Sequence, residues 1–227
     1  MNSKLSVMRF LICMAVISMT VSSFAQIDPW EKFNSSLVIE VTRVGGVFTC
    51  SGVAVSEKII ITAAHCLEGG VKKIRVFTQE KYDPDQEFLE IEDFELHPEY
   101  HPEVSLYQSD IAKIHLKKKL PEFIRIHSIY QGRKIYGELY RFGFGERNGT
   151  NIRTIIKPNL KRLNPLEKIL ELNDEFSMSG DSGGPVFIIY DRKISILAIH
   201  STFSHGPQGN YSLNPILGDY VPWIFNQ

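Results

Sequence analysis

Gly180-Asp181-Ser182-Gly183-Gly184-Pro185 is the most informative segment of this chain. Its glycines permit backbone torsions that are closed to other residues, so the chain can turn sharply around Ser182. Such a turn can direct the backbone N–H groups of Gly180 and Ser182 toward one point, where fixed donors stabilise the oxyanion of an acyl-transfer intermediate. A serine in this setting is a candidate nucleophile, provided that a base takes its proton.

Two further segments supply the groups that such a serine needs. Thr62-Ala63-Ala64-His65-Cys66 directly follows a β-branched run, and Ser109-Asp110-Ile111-Ala112 opens another. Histidine has a pKa suited to accepting a proton near neutral pH. A buried carboxylate on its second ring nitrogen fixes the tautomer and the orientation. We therefore predict Ser182 as nucleophile, His65 as general base and Asp110 as the residue that orients the base.

These three segments, in this order, resemble the signatures of the trypsin/chymotrypsin family. Tyr140-Arg141-Phe142-Gly143-Phe144-Gly145 is similar to the family's Gly-aromatic-Gly turn, and Tyr220-Val221-Pro222-Trp223-Ile224 to its C-terminal helix. The resemblance covers about residues 35–227. It implies an all-β fold of two six-stranded antiparallel β-barrels with a C-terminal helix, and an active site between the barrels. It also implies a serine endopeptidase that forms an acyl-enzyme on Ser182.

Short β-branched or alternating runs separated by turn residues independently favour an all-β fold. Two segments have apolar residues near helical spacing, Leu163 to Leu172 and Tyr220 to Phe225. We expect the chain to cross between two similar halves near residues 117–135. The predicted strands are Leu37–Val41, Ile59–Thr62, Ile74–Phe77, Ile91–Leu96, Ile111–Leu116, Val186–Tyr190 and Ile194–His200.

The N-terminus has the pattern of a signal peptide. Lys4 and Arg9 precede an apolar run from Phe10 to Val21, and small residues follow. The run is too short for a comfortable membrane span, although an uncleaved anchor remains the alternative. We expect residues 1–25 to be removed and residues 26–227 to form the protease-like domain, secreted or periplasmic and without a stable membrane anchor.

Removal of the signal peptide leaves two cysteines, Cys50 and Cys66. An even count in an exported chain indicates one disulfide bond. The family resemblance implies the same pair, which ties the histidine loop to the preceding strand. On a chain-entropy model, a loop of about 16 residues closed by a disulfide adds roughly 3 kcal/mol of stability.

The chain departs from the family at its activation segment. Arg43-Val44-Gly45-Gly46 imitates an activation sequence, but cleavage there would remove the first strand of the barrel. Yet Asp181 is present, and the resemblance implies that it pairs with a freed N-terminal ammonium. A buried carboxylate without a partner is costly. We therefore predict a structural role for Asp181 and a pair with the ammonium of Gln26, or alternatively with another partner.

Ile199-His200-Ser201 resembles the pocket strand of bacterial glutamyl endopeptidases and exfoliative toxins. There a histidine, with nearby hydroxyls, binds the carboxylate of a glutamate before the scissile bond. The resemblance implies a preference for an acidic residue at that position. The alternative is that His200 is a packed strand residue and that Phe176 closes a shallow apolar pocket. The candidate substrate-binding residues are Ser177, Ser179, His200 and Ser201.

Net charge, the histidine pattern and the order of the motifs argue against several other functions. The net charge is −1, so no polybasic surface indicates nucleic acid or an anionic membrane. The sequence predicts no metal site and no cofactor; the histidines of the loop His97–His101 are typical of solvated residues. An esterase of the α/β class needs the histidine after the serine, whereas His65 precedes Ser182.

We expect a monomer that acts on protein or peptide substrates and can be bound by a protein inhibitor. A catalytically inactive secreted binding protein on the same fold is the alternative.

Overall fold

A computed structural model of the chain describes residues 29–105, 107–132, 134–207 and 209–226. The predicted signal peptide and Gln26 therefore lie outside the described residues. After a short helix, α1 (Pro29–Lys32), the chain forms one six-stranded antiparallel sheet in the order β4-β1-β2-β3-β6-β5. Its strands are β1 (Ser36–Arg43), β2 (Gly46–Ala54), β3 (Ile59–Thr62), β4 (Lys73–Phe77), β5 (Ile91–Leu96) and β6 (Ala112–Leu116).

This first sheet curls until its two ends meet, since Val76 of β4 forms a bridge with Leu89 just before β5. In β1, Leu37, Ile39 and Val41 point into the core that the curled sheet encloses. Val38, on the opposite face, is equally buried because it packs against the second half of the molecule. Alternate residues of a strand lie on opposite faces, so both faces of β1 are buried from Ser36 to Val41.

The second half contains two four-stranded antiparallel sheets and a small hairpin. The sheets have the orders β10-β7-β13-β14 and β11-β12-β16-β15, and a bridge between Ala198 and Ile216 joins them. Its strands are β7 (Glu138–Gly143), β8 (Glu146–Arg147), β9 (Thr150–Asn151), β10 (Thr154–Ile156), β11 (Asn159–Asn164), β12 (Ile169–Asn173), β13 (Pro185–Tyr190), β14 (Lys193–Ile199), β15 (Thr202–Ser204) and β16 (Tyr211–Pro215).

The predicted all-β double-barrel fold with a C-terminal helix is confirmed. The chain ends in a 3₁₀ turn, Leu217–Tyr220, followed by α2 (Val221–Ile224). A four-residue helix is too short to be stable alone, so its position depends on tertiary contacts. The fully buried Lys113 of β6 provides them, because its Nζ donates to the Asn226 side chain at 2.9 Å and to the Trp223 carbonyl at 3.3 Å.

The helix predicted from Leu163 to Leu172 is wrong. This segment is the β11–β12 hairpin, in which Leu163 and Leu170 are cross-strand partners. Residues seven apart share one face of a helix, but they also face each other across a hairpin with a loop of suitable length. The left-handed conformation of Lys168 (φ 55°) belongs to that turn. The apolar spacing therefore fitted both structures.

The two halves share a core, and this fixes the cleft between them. Val53, Ile61 and Ile111 of the first half pack in one buried cluster with Phe142 and Phe187 of the second. Phe33, which follows α1, adds its ring at 4.7 Å from Phe142 and 5.1 Å from Phe187. The N-terminal segment thus packs on the second barrel. No helix among the described residues is long and apolar enough to cross a membrane.

Candidate active site

His65 and Asp110 lie at the ends of two paired strands. The 3₁₀ turn Ala64–Cys66 directly follows β3, and Asp110 lies two residues before β6. Because Thr62 of β3 pairs with Ala112 of β6, the two side chains reach the same end of the sheet. His65 Nδ1 lies 2.7 Å from Asp110 Oδ2, and the His65 backbone N–H donates to Oδ1 at 2.9 Å.

The disulfide bond Cys50–Cys66 holds this turn against β2. It links residues 16 apart in sequence, with a Cα–Cα distance of 6.4 Å, and matches the predicted pair. Arg43 adds a second restraint, since its guanidinium donates to the carbonyls of His65 and Cys66. The backbone of His65 and of Cys66 is therefore held in place.

Asp110 is fully buried, whereas His65 is one-third exposed (33%). Burial alone lowers the pKa of His65, but the hydrogen bond to Asp110 and the charge of Asp110 outweigh that effect. The pKa of His65 is therefore held above its ordinary value of 6.5. This arrangement leaves Nε2 as the ring nitrogen available to a reacting group, because Nδ1 is engaged by the carboxylate.

Ser201 supplies a third hydrogen bond to Asp110, which the sequence did not predict. Its hydroxyl donates to Asp110 Oδ2 at 2.5 Å, and its side chain is almost fully buried. Ser201 was expected to bind substrate, but the structure directs its hydroxyl to the carboxylate behind His65. Three donors on one buried carboxylate hold it in one orientation.

Ser182 lies in the turn before β13. Gly180 and Gly183 have φ angles of 98° and 83°, in the left-handed region that favours glycine. A Cβ at Gly183 would lie 2.2 Å from the Ser51 carbonyl and from the Thr62 hydroxyl, so no larger residue fits there. The Ser182 hydroxyl donates to the Ser201 carbonyl at 3.4 Å. No hydrogen bond to His65 is present among the described residues, as is common before substrate tightens such contacts.

The backbone N–H groups of Gly180 and Ser182 donate to no acceptor in the described part of the chain. The peptide groups themselves are anchored. The Gly180 carbonyl accepts the Ser51 hydroxyl at 2.8 Å, and the Ser182 carbonyl accepts the Ser51 N–H at 2.7 Å. Two unused, anchored donors beside a serine hydroxyl are what an oxyanion needs.

Asp181 is fully buried between these two donors and has several partners. Its Oδ1 accepts the Gly145 N–H at 2.7 Å, and its Oδ2 accepts the Met178 N–H at 3.0 Å. Oδ2 also lies 2.9 Å from Arg147 Nη2 and 3.2 Å from Arg141 Nη1. Burial alone raises the pKa of Asp181, but the two arginines outweigh this and hold it below its ordinary value.

The sequence expectation that the ammonium of Gln26 pairs with Asp181 stays a prediction. Its reason was that a buried carboxylate requires a cation, and Arg141 and Arg147 meet that requirement from within the second barrel. Gln26 itself lies outside the described residues. The notable signal in the sequence was an arginine within the apolar strand segment Tyr140–Phe142, since a buried guanidinium requires carboxylate partners.

A family model for trypsin matches residues 31–224, which is most of the chain. The chain belongs to the trypsin family. It is also similar to Hypodermin-B from Hypoderma lineatum, with 36% identity over 94 residues. That match covers 40% of this chain and spans only 33% of the length of Hypodermin-B.

Within this trypsin-family domain, the four candidate substrate-binding residues occupy different surroundings. Ser177 is buried and donates its hydroxyl to Asp174 at 2.7 Å. Ser179 is exposed, and its carbonyl accepts the Glu146 N–H at 3.1 Å. Ser201 faces Asp110, as described above. Phe176, the residue expected to close a shallow apolar pocket, is 61% exposed.

His200 is fully buried at the end of β14, beside the serine turn. Its carbonyl accepts the Gly183 N–H at 2.7 Å. Neither ring nitrogen makes a hydrogen bond of good geometry among the described residues, although the Asn214 side chain lies close enough to favour the protonated ring. Burial, with the charge of Arg141, lowers the pKa of His200 to about 4, so the ring is neutral at pH 7. The ring of Phe203 stacks over it, with centroids 6.2 Å apart and planes within 18°.

An open cleft of about 500 Å³ lies along β15, beyond Ser201. Strand β15 and the facing loop line it with aromatic and small polar side chains, which suits an extended peptide. Within the described residues, no group of three or more His, Cys, Asp or Glu side chains could hold a metal ion. The cleft is lined in part by Tyr107, Thr202, Phe203, Tyr211 and Leu213.

Proposed function

We propose that this chain is a serine endopeptidase that hydrolyses peptide bonds through an acyl-enzyme on Ser182. The Ser182 hydroxyl attacks the scissile carbonyl carbon and passes its proton to His65 Nε2. When the C–N bond breaks, His65 returns that proton to the leaving amine. Water then attacks the acyl-enzyme with the same proton transfers, which release the acid product and restore Ser182. The Gly180 and Ser182 N–H groups stabilise the oxyanion at both steps.

The observation that carries this proposal is the buried Asp110 carboxylate, which contacts His65 Nδ1 at 2.7 Å and accepts two further hydrogen bonds. A buried carboxylate that accepts three hydrogen bonds behind a one-third-exposed imidazole is costly to maintain unless the imidazole becomes charged. An inactive binding protein on the same fold, the alternative, has no need of it. Membership of the trypsin family supports protein or peptide substrates.

The experiment is a peptidase assay on the exported protein and its alanine variants. Ser182→Ala and His65→Ala should each lower kcat by roughly 10⁴–10⁶-fold, and the double variant little further, because the residues act as a unit. His101→Ala, at an exposed loop histidine, is the control and should leave kcat unchanged. If either active-site variant keeps a tenth of the wild-type activity, the proposed roles are wrong.

We further propose that the preferred residue before the cut is acidic, with His200 contacting its carboxylate. The support is that His200 lies next to the serine turn and that its buried ring nitrogens make no hydrogen bond of good geometry, with the Asn214 side chain close by. A buried donor without a partner is unfavourable unless a ligand satisfies it. The neutral imidazole has one N–H to donate, and an arriving carboxylate raises its proton affinity. Phe203 must turn aside to admit the side chain.

Matched peptides with Glu, Gln, Phe, Ala or Arg before the cut test this preference. We expect kcat/KM to be at least about tenfold higher for Glu than for its neutral isostere Gln, a difference of roughly 1.4 kcal/mol. Phe203→Ala should raise kcat/KM for the Glu peptide by opening the path to His200, and His200→Gln should remove the preference. A wild-type enzyme that does not distinguish Glu from Gln leaves His200 as a packed strand residue.

The sequence pattern of residues 1–25 also supports export, to the medium or the periplasm, with Gln26 as the new N-terminus. N-terminal sequencing of the protein recovered from the exported fraction tests this. A first residue upstream of Gln26 in active, exported protein contradicts cleavage at that site. Sedimentation of the same material tests the expectation of a monomer.

A further inference from the structure

Arg147 joins the two loops that surround the serine turn. From the β8–β9 hairpin its guanidinium donates to Asp181 Oδ2 at 2.9 Å and to the Phe176 carbonyl at 2.8 Å. It also donates to the Gly145 carbonyl at 3.0 Å. One side chain therefore bonds the segment before Ser182, the carboxylate beside Ser182 and the glycine turn after β7.

The other cation at this site is largely engaged elsewhere. Arg141 lies 2.5 Å from Asp174 Oδ2 through Nε and donates to Asp174 Oδ1 at 3.2 Å through Nη2. Only its Nη1 faces Asp181, at 3.2 Å. Asp181 is fully buried, and without Arg147, the closer cation, too little positive charge would face its carboxylate.

The glycine turn, residues 143–145, leaves space for the Asp181 carboxylate because two of its residues lack a Cβ. A Cβ at Gly143 would lie 2.2 Å from Asp181 Oδ1, and one at Gly145 would lie 2.7 Å from the same atom. Gly180 packs on this turn as well, since its own Cβ would meet Gly145 Cα and the Phe144 carbonyl at 3.2 Å. Any movement of Asp181 out of this seat therefore moves Gly180 and Ser182, which are covalently attached to it.

We propose that Arg147 is a positioning residue for the two oxyanion donors, and that it makes their arrangement independent of the chain's N-terminus. This inference rests on the proposed peptidase function. Arg147 holds Asp181 in its seat, and Asp181 in turn holds the peptide groups of Gly180 and Ser182 in the orientation that binds an oxyanion. Arg147 touches neither the substrate nor the reacting atoms.

The test compares Arg147→Met with Arg162→Met. Arg162 is an exposed arginine on β11 that pairs with Glu171, so its variant controls for loss of a charge. Loss of one oxyanion donor lowers kcat by about 10²–10³-fold, and an indirect displacement should approach this. We expect Arg147→Met to lower kcat by roughly 10- to 100-fold with KM changed less than about threefold. Arg162→Met should match the wild type.

An inhibitor pair separates positioning from general destabilisation. A peptidyl trifluoromethyl ketone forms an oxyanion on Ser182, whereas the corresponding alcohol binds without one. With Arg147→Met, the inhibition constant of the ketone should rise in parallel with the fall in kcat, while that of the alcohol stays constant. Arg147→Lys, which keeps the cation and so protects folding, should lie between Arg147→Met and the wild type. Equal effects on ketone and alcohol, or a lysine variant that recovers none of the kcat lost in Arg147→Met, overturn the proposal.

Independence from the N-terminus, the second half of the proposal, is tested with the wild-type sequence. Protein that begins at Gln26 and protein that carries extra glycine and serine residues before Gln26 should have kcat/KM values within about twofold. A tenfold or larger loss in the extended protein shows that a free N-terminus, and not Arg147, completes the site. If the wild type itself cleaves no peptide, the proposed function has failed, and that outcome is distinct from an active wild type with an equally active Arg147→Met.

Discussion

Asp110→Asn changes one atom of the candidate triad, and the surrounding donors decide how the new amide is oriented. The backbone N–H of His65 donates to Oδ1 at 2.9 Å and cannot become an acceptor. The amide oxygen must therefore keep this position, which places the amide N–H₂ where Oδ2 was, facing His65 Nδ1 at 2.7 Å. The Ser201 hydroxyl, which now donates to Oδ2 at 2.5 Å, can rotate to accept.

An amide donor at this place forces His65 into the wrong tautomer. Nδ1 must accept the new hydrogen bond, so the ring proton moves to Nε2, the nitrogen that should take the proton of Ser182. The same substitution in a serine protease triad lowers kcat about 10⁴-fold. A factor of 10⁴ corresponds to about 5.4 kcal/mol of transition-state stabilisation. The side chains are isosteric and the lost hydrogen bonds are few, so the free energy of unfolding should fall by less than about 3 kcal/mol.

The assay is kcat on a peptide substrate together with chemical unfolding of the same variant. Asp93→Asn, at an exposed aspartate beside His115, is the matched control and should leave both quantities unchanged. A folded Asp110→Asn enzyme that keeps more than a tenth of wild-type kcat refutes the orientation argument, since the amide would then leave Nε2 free to act as a base.

Three further outcomes follow from the structure. Activity should rise with pH at a midpoint above 6.5 because the pKa of His65 is raised, and a midpoint below 6 in the kcat/KM profile contradicts this. The stability that the charged His65–Asp110 pair adds is present below pH 6.5 and is lost as the pH rises through the folded pKa. Replacing Cys50 and Cys66 together by serine should cost roughly 3 kcal/mol of stability, measured by calorimetry, and unchanged stability contradicts the closed loop. Phe33→Ala should cost about 3–5 kcal/mol in denaturant unfolding, because the ring is buried in the shared core, and a cost below 1 kcal/mol refutes this.

The parts of the fold that the sequence predicts well are those with local signals. Ile59–Thr62 and Ile91–Leu96 are β-branched or alternating runs between turn residues, and the structure gives each strand these bounds. Leu163 to Leu172 fails because a hairpin and a helix place the same leucines together, and only the partner strand β16 distinguishes them. Short-range spacing carries no information about that partner.

The candidate site was predictable where its residues sit in motifs and not where they depend on packing. His65, Asp110 and Ser182 are each recognisable from their neighbours in sequence. The contacts that Arg147 and Ser201 make at the site are with residues 34 and 91 positions away, respectively. The burial of His200 beneath Phe203 likewise arises from the path of β15. Such contacts exist only after the two barrels have closed.

The central claim is that Ser182 is an activated nucleophile, and a fluorophosphonate probe measures this most directly. The probe reacts with a serine only when a base and an oxyanion site assist it. The account predicts close to one equivalent of label per exported chain, located on Ser182 by peptide mass spectrometry, and none in His65→Ala or Ser182→Ala. A folded wild-type protein that remains unlabelled, or one labelled at another residue, contradicts it.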